Sequence, residues 1–270
     1  MIEPKALADR MALAEKVARD AGAVALRHFN ARDALEIETK RSLTDMVSIA
    51  DREVEQMIHT ALLAAFPDDG FLGEEYGLTA GRNGLTWVVD PIDGTAPFLT
   101  GLPGWCVSIG LMDADGPALG AIFAPVLDEM FVGGRGSGAT LNGQPIQVTT
   151  RFDLSTGLLG LGANDRVPAA RLGQMHADLA EAGVAWVRYG SGALMLAFVA
   201  AGRLVGYAEP RMSLWDCLAA YAVIEAAGGR VAALGPGAED GQAFPVMAAT
   251  EGDFLRLAGL TRFDGDDWRL

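Results

Sequence analysis

Histidine is almost missing from this chain. Three of 270 residues, His28, His59 and His176, carry an imidazole, each inside a helix-like stretch. A histidine-built metal site or a Ser-His-Asp triad has little to draw on. Cysteine is as scarce: Cys106 and Cys217 stand alone, outside any CxxC pair and among mostly apolar neighbours. That excludes a disulfide framework and a cysteine zinc site, and it fits buried thiols in a reducing compartment. Lysine and arginine, 21 in all, are outnumbered by 35 acids, a net charge of −14. Such a surface repels nucleic-acid backbones and anionic membranes, so neither is an expected partner. The longest apolar run of the second half, Ala193 to Ala201, is about half of what a membrane span needs. The opening MIEPKALADRMALAEKVARD carries charges every few residues and no apolar core of a signal peptide. The expected location is the cytoplasm.

What the chain does have is a large core supply. Half of its residues are hydrophobic and 21% are charged, enough for one large domain or two halves sharing a core. Leu7, Met11, Ala14, Val17, Ala18, Ala21 and Val24 repeat at threes and fours, which predicts a helix over 5–30. A short strand over 35–39, a polar connector KRSLTDMVSIAD and a second helix ending at Phe66 follow, stopped by Pro67-Asp68-Asp69-Gly70. Residues 71–75, 85–90, 105–112, 118–123 and 130–132 read as strands joined by short turns, an antiparallel sheet. The glycine-rich 133–143 stretch lacks the Lys-Ser/Thr ending of a phosphate loop and reads as turn chemistry within that sheet. Beyond Arg151 strands and helices alternate: strands over 158–161, 185–189, 205–208, at 231 and over 246–249, helices over 167–182, 192–201 and 214–227. The change near residue 150 sets the expected division, 1–150 and 151–270. The fold class is mixed α-β (α+β), with an antiparallel sheet in the N-terminal half and a mixed sheet in the C-terminal half.

Residues 85–99, LTWVVDPIDGTAPFL, concentrate the chemistry. An apolar strand delivers Asp90 to its end, Pro91 turns the chain, and Ile92 offers a carbonyl just before Asp93. Two carboxylates and a carbonyl within four residues form a set of hard oxygen ligands suited to Mg²⁺. The amides of Gly94 and Thr95 are placed to meet an anion. A DPxDG segment is also a common turn. Two other segments strengthen the metal reading: Gly73-Glu74-Glu75 ends another apolar strand, and Asp216 opens the apolar helix LWDCLAAYAV. Asp216 could serve only as a helix cap, yet an acid in so apolar a setting is costly without a cation or a partner. Glu74, Asp90, Asp93 and Asp216 therefore make a candidate acidic pocket. Arg188 reads either as a counter-charge to that pocket or as a surface ion pair, the latter favoured slightly.

GEE, WVVDPIDGT and WDCLAAYAVIEAAGG, in this order and spacing, resemble the inositol monophosphatase-like family. The likeness extends over nearly the whole chain, through Lys40, Asp45 and Asp51, GLPGWCVSIGL, RGSGATLNGQPIQV and GSGALMLAFVAAGRLVGYAEP. It implies a layered αβαβα sandwich and a lithium-sensitive phosphomonoesterase, a homodimer, with two or three Mg²⁺ per site. By this resemblance Glu74, Asp90, Asp93, Asp216 and the Ile92 carbonyl are metal ligands. Thr95 and Asp51 form a hydrogen-bonded pair that, with Glu74, orients the attacking water. The Gly94 and Thr95 amides cradle the phosphate, Ser191, Gly192 and Glu209 contact the alcohol, and Asp93 and Asp216 count among the substrate-binding residues as well. Asp45 has a less direct role, and Glu75 stands beside the ligand Glu74. Ala96, Pro97 and Thr100 replace residues that are polar, basic or histidine in many relatives, which bears on substrate access. The expected substrate is a small phosphate monoester, inositol 1-phosphate first and histidinol phosphate as the alternative. A 3′-phosphonucleotide or fructose 1,6-bisphosphate ranks lower, since the sequence shows no basic cluster for a second phosphate. A non-catalytic binding relative ranks lowest, given the intact acid set.

Overall fold

Pro4 opens the first helix, where its missing N–H costs nothing, and α1 (Pro4–Asn30) buries Leu7, Ala14, Val17, Ala18, Ala21 and Ala25 along one face. The computed structural model describes residues 2–31, 37–39, 46–164 and 166–263; Lys40, Asp45 and Trp268 lie outside them. Two short strands, β1 (Ile37–Thr39) and β2 (Met46–Ser48), pair antiparallel ahead of α2 (Ile49–Ala65). Just beyond α2, Asp69 accepts two guanidinium hydrogen bonds of the buried Arg10 at 2.8 Å, fastening the turn to α1.

The larger sheet follows: β3 (Gly70–Gly73), β4 (Gly77–Thr79), β5 (Thr86–Asp93), then after the short helix α3 (Thr95–Thr100) the meander β6 (Cys106–Asp113), β7 (Gly116–Ala124), β8 (Glu129–Gly134), β9 (Gly138–Leu141) and β10 (Gln144–Ile146). Its order is β10-β9-β8-β7-β6-β5-β3-β4. Every neighbour is antiparallel except β3 and β5, which run parallel. Turn chemistry behaves as expected at Asn142 and Gly143, both at positive φ between β9 and β10.

The smaller sheet is β12-β11-β13-β15-β14, built from β11 (Leu158–Leu161), β12 (Ala185–Val187), β13 (Gly206–Met212), β14 (Arg230–Val231) and β15 (Phe244–Ala249). The pairs β11/β12 and β11/β13 are parallel, the rest antiparallel. Helices α4 (Ala169–Glu181), α5 (Gly192–Ala200), α6 (Leu214–Ala226) and α7 (Glu251–Thr261) complete the described residues. The last helix has no counterpart in the sequence reading; Thr250 caps it by accepting the Asp253 amide at 3.3 Å.

Three separate apolar cores define five layers. One lies between α1, α2 and the larger sheet, around Val17, Ile58, Trp87 and Ile109. A second fills the middle, where α5 and α6 lie between the two sheets. The third joins the smaller sheet to α4 and α7 through Leu159, Met175, Met247 and Leu257. The arrangement is the expected αβαβα sandwich. Helices α5 and α6 are apolar all round, as helices buried on both sides must be. Among the described residues no helix is long and apolar enough to cross a membrane.

Helix α6 rests on a stripe of glycines. Gly110, Gly120 and Gly133 pair across β6, β7 and β8. A Cβ on Gly110 would come 3.0 Å from the Ala219 nitrogen, one on Gly133 2.8 Å from the Val223 Cα, and one on Gly120 would overlap the Ala219 carbonyl. Backbone therefore lies directly on backbone, which fixes the height of α6 above the sheet.

Candidate active site

A proline inside a buried strand shapes the site. Pro91 cannot donate to a ladder, and the β5/β6 register shifts at this point: Asp90 faces Ser108 while Asp93 faces Cys106, one extra residue on β5. In a regular strand, side chains three apart point to opposite faces. The bulge removes that alternation, so carboxylate oxygens of Asp90 and Asp93 lie with one of Asp216, all within 4.8 Å of one another. The Ile92 amide donates to Asp90 Oδ1 at 2.9 Å, locking the turn.

Each remaining acid arrives from a different element. Asp216 sits in the first turn of α6 and accepts the Ser213 amide at 3.2 Å, so it caps its helix and faces the cleft as well. Glu74 follows β3, and its amide donates to the Val89 carbonyl of the parallel neighbour β5 at 3.3 Å. Asp51 is buried in the first turn of α2. Thr95 Oγ1 donates to the Ile92 carbonyl at 3.4 Å. Gly94 turns the chain into α3 at φ +97°, where a Cβ would come 2.7 Å from the Gly104 carbonyl. Phe98 of α3 is anchored against Phe29 and Trp105, at ring separations of 5.6 and 4.9 Å.

Burial and mutual repulsion dominate the electrostatics of these acids. Burial, then the charge of Asp93, pushes Asp216 up to about 8. Burial and the charges of Glu74, Asp93 and Asp216 raise Asp90 well above the carboxylate range. Glu74 is reached by solvent but enclosed by the cleft walls, and that enclosure together with Asp216 and Asp51 raises it strongly. Asp93 is raised by burial too, but it accepts hydrogen bonds from the Ser191 hydroxyl and, at 2.7 Å, from the Ala193 amide at the start of α5, which favour its charged form. No lysine or arginine forms a salt bridge with Asp90, Asp93 or Asp216 among the described residues. Several close carboxylates with raised proton affinity form an all-oxygen donor set that a hard divalent cation would neutralise. Both thiols are buried and free, and burial pushes them up, so neither is a ready nucleophile.

These residues line a cleft of about 1020 Å³ that runs from Glu74, Asp90, Asp93 and Asp216 to Glu209 and Tyr207. Gly94, Thr95, Ser191 and Gly192 line it as well. The Ser191 hydroxyl, read from the resemblance as a substrate contact, is engaged with Asp93 and also caps α5 through the Leu194 amide at 3.2 Å. Glu209 is buried, accepts the Tyr207 hydroxyl at 2.6 Å, and rises to about 7 because burial outweighs that bond. Arg188 lines this cleft, where its charge acts on Glu209 and its guanidinium donates to the Ala163 carbonyl at 2.7 Å.

Several neighbours escape a reading of sequence. Asn164 Nδ2 bridges Glu209 Oε1 at 3.4 Å and the Arg211 carbonyl at 2.7 Å. Arg166 and Arg211 line the cleft with Arg188; residues so far apart in sequence come to one cleft only through strand pairing. Glu55, wholly buried, accepts the amides of Glu75 and Tyr76 at 3.0 and 2.8 Å and so holds the turn that carries Glu74. Its one sequence signal is an acid on the apolar face of α2, beside Val54 and Ile58.

A five-layered α/β sandwich with an acidic, metal-suited cleft between its sheets defines the class. The model of the inositol monophosphatase family matches residues 7–259, and the chain belongs to that family. Over 219 residues it is 41% identical to a Nus factor SuhB of Xylella fastidiosa, covering 80% of this chain and 78% of that one. It is 38% identical over 216 residues to an inositol-1-monophosphatase of Rhizobium meliloti, covering 77% and 79%. The crystal structure of extragenic suppressor protein suhB from Bartonella henselae superposes with a TM-score of 0.87 at 30% identity, covering 94% of this chain and 98% of that one. Family membership supports a phosphomonoesterase.

Proposed function

We propose that the protein is a Mg²⁺-dependent phosphatase of small phosphate monoesters, with inositol 1-phosphate among its substrates. The observation that carries this reading is the convergence of Asp90, Asp93 and Asp216, three acids from two elements, with no basic residue salt-bridged to them among the described residues. Glu74, the Ile92 carbonyl and these three acids would hold the metal. When bound, the metal supplies charge neutralisation at the phosphate and at the departing alkoxide, and it lowers the pKa of water.

The chain's own residues do the rest. Ser191 and the Ala193 amide hold the Asp93 carboxylate in place and favour its charged form against the burial that raises it. Thr95, Asp51 and Glu74 are the groups assigned to orient the water that attacks phosphorus. The left-handed turn at Gly94, where a side chain would press on the Gly104 carbonyl, brings the chain into α3 beside the acids, and the Gly94 and Thr95 amides are the groups assigned to the phosphate. Glu209, fixed by Tyr207 and Asn164, accepts hydrogen bonds from the alcohol's hydroxyl groups. Positioning and charge stabilisation are the main sources of rate in phosphoryl transfer. Histidinol phosphate, the alternative substrate, carries a positive charge that the cleft's arginines oppose. A role restricted to partner binding would leave the buried acids without purpose. Homodimerisation and a cytoplasmic location belong to the same reading.

The test is phosphate release from inositol 1-phosphate with Mg²⁺, with EDTA, and in the Asp93→Asn and Asp216→Asn proteins. Release is expected with Mg²⁺ only, and kcat should fall by about 100-fold or more in either variant while the circular dichroism spectrum is unchanged. Near-normal turnover in both variants would remove the ligand assignment.

A further inference from the structure

The proline bulge of β5 has a counterpart in the other sheet. Glu209-Pro210-Arg211-Met212 ends β13 with the same spacing as Asp90-Pro91-Ile92-Asp93. Glu209 faces Val246 of β15 while Met212 faces Phe244, so β13 carries one extra residue, as β5 does between Asp90 and Asp93. On the partner strand Pro245 stands between Phe244 and Val246. Neither strand can therefore offer a backbone donor from these prolines. The bulge removes the alternation of faces, and Glu209 and Met212, three residues apart, both line the cleft beside Tyr207.

Asn164 holds this bulge from the neighbouring strand. Backbone bonding between β11 and β13 runs as far as the Gly162 amide on the Ala208 carbonyl at 3.0 Å. Beyond it the Asn164 side chain takes over: Nδ2 donates to the Arg211 carbonyl inside the bulge at 2.7 Å and reaches Glu209 Oε1 at 3.4 Å. Glu209 Oε2 accepts the Tyr207 hydroxyl at 2.6 Å. Each carboxylate oxygen thus has its own donor, and a carboxylate retains lone pairs for further donors. Gly162 permits the arrangement, since a Cβ there would overlap Glu209 and the Tyr207 hydroxyl. At the far side of the bulge the Met212 methyl rests on Gly192, where a Cβ would overlap it. Gly192 lies between Ser191 and Ala193, the two residues that grip Asp93. Glu209 is in this way set at a fixed span from the acid cluster.

We infer that Asn164, by holding the Pro210 bulge, is a specificity-determining positioning residue: it aims Glu209 at the hydroxyl groups of the departing alcohol. This rests on the phosphatase reading and deepens it. An alcohol with hydroxyl groups in reach satisfies Glu209, whereas one without them covers a buried carboxylate and pairs nothing with it. Hydrogen bonds weaken steeply with misalignment, so the discrimination depends on the aim of Glu209 and not on its presence alone.

The experiment compares kcat/KM for inositol 1-phosphate and cyclohexyl phosphate, the same ring without its hydroxyl groups, with Mg²⁺. The proteins are the wild type, Asn164→Ala, Asn164→Asp, Glu209→Ala and the Asn164→Ala/Glu209→Ala double variant. Asn164→Asp keeps the acceptor that the Arg166 amide uses at 3.1 Å but lacks the donor. The ratio of the two substrates within one sample does not depend on how much of the protein is folded. The wild type is expected to favour inositol 1-phosphate by about tenfold or more. In both Asn164 variants the ratio should fall to about twofold or less, mainly through a higher KM for inositol 1-phosphate. Once Glu209 is alanine, Asn164→Ala should not change the ratio further, because the two residues act as one unit. A wild type without preference for inositol 1-phosphate overturns the inference and leaves the phosphatase reading intact. So does an unchanged ratio in the Asn164 variants, which would make Asn164 a seal on the bulge and nothing more. A loss that adds in full to that of Glu209→Ala overturns it too, since Asn164 would then act elsewhere. No release from either ester with Mg²⁺ overturns the phosphatase reading and this inference with it.

Discussion

Glu55 shows how a single buried residue can govern a site it does not enter. Its carboxylate accepts two consecutive amides, those of Glu75 and Tyr76, immediately after Glu74. Gly73 makes the approach feasible, because a Cβ there would collide with Glu55 Oε1. Burial raises Glu55 to about 7, with the charges of Glu75 and Asp51 adding to the effect of desolvation. Glu55→Ala would leave two amides without their acceptor and is expected to lower unfolding free energy by about 1–3 kcal/mol in urea titrations. It should also raise the Mg²⁺ concentration required for half-maximal activity, since the turn bearing Glu74 loses its anchor. Glu55→Gln, which keeps an acceptor, should recover part of both. Unaltered stability and metal requirement in Glu55→Ala would show the two bonds to be incidental. In the sequence, Asp90, Asp93 and Asp216 stand out because acids sit at the ends of apolar runs. Glu55 does not, because one acid among the alternating charges of an amphipathic helix has no local signature.

At the scale of elements, the decisive contact is helix on sheet. Asp216 reaches Asp90 and Asp93 only if α6 lies at the right height, and the glycine stripe of β6, β7 and β8 sets that height. Gly120→Val would force α6 away from β7, since the added Cβ meets the Ala219 carbonyl. Overpacking of this kind costs about 1–3 kcal/mol or more. The expected result is a lowered Tm together with a weakened Mg²⁺-induced rise in Tm, measured by differential scanning calorimetry. A variant with normal metal response would mean that α6 adjusts without moving Asp216. Strand alternation and helix periodicity in the sequence located α1, α2, α4, α5, α6 and most strands, because those patterns are local. The parallel pairing of β3 with β5 was not visible: neighbouring strands joined by short segments suggest antiparallel order, and the choice is made by packing. Helix α7 has no counterpart in the sequence reading, which ends at the strand over 246–249.

Taken as a whole, the molecule stores proton affinity where the cation belongs. Asp216 sits at about 8, Glu209 and Glu55 at about 7, against ordinary values of 3.8 and 4.5. Between about pH 4.5 and 8 the folded, metal-free chain binds more protons than the unfolded one, so stability falls as pH rises through that window. In EDTA the Tm is expected to be higher at about pH 6 than at about pH 8. Added Mg²⁺ should raise Tm more at the higher pH, because protons no longer compete for the same oxygens. A Tm in EDTA that climbs from pH 6 to 8 would contradict this account of the buried acids. The net charge of −14 acts in the same direction, adding repulsion that a cation relieves.

The sequence by itself determined the local chemistry: a strand broken by Pro91 between two aspartates, an acid opening an apolar helix, and the alternation that builds helices and sheets. Each depends on residues a few positions apart, where spacing along the chain equals spacing in the fold. Tertiary structure alone decided which distant residues meet. Arg166, Arg188 and Arg211 become one basic cleft edge because three parallel strands end together, and Glu55 becomes an anchor because α2 packs beside β5. Those outcomes come from layer packing and strand direction, which are set by the burial of the whole apolar surface rather than by any short segment.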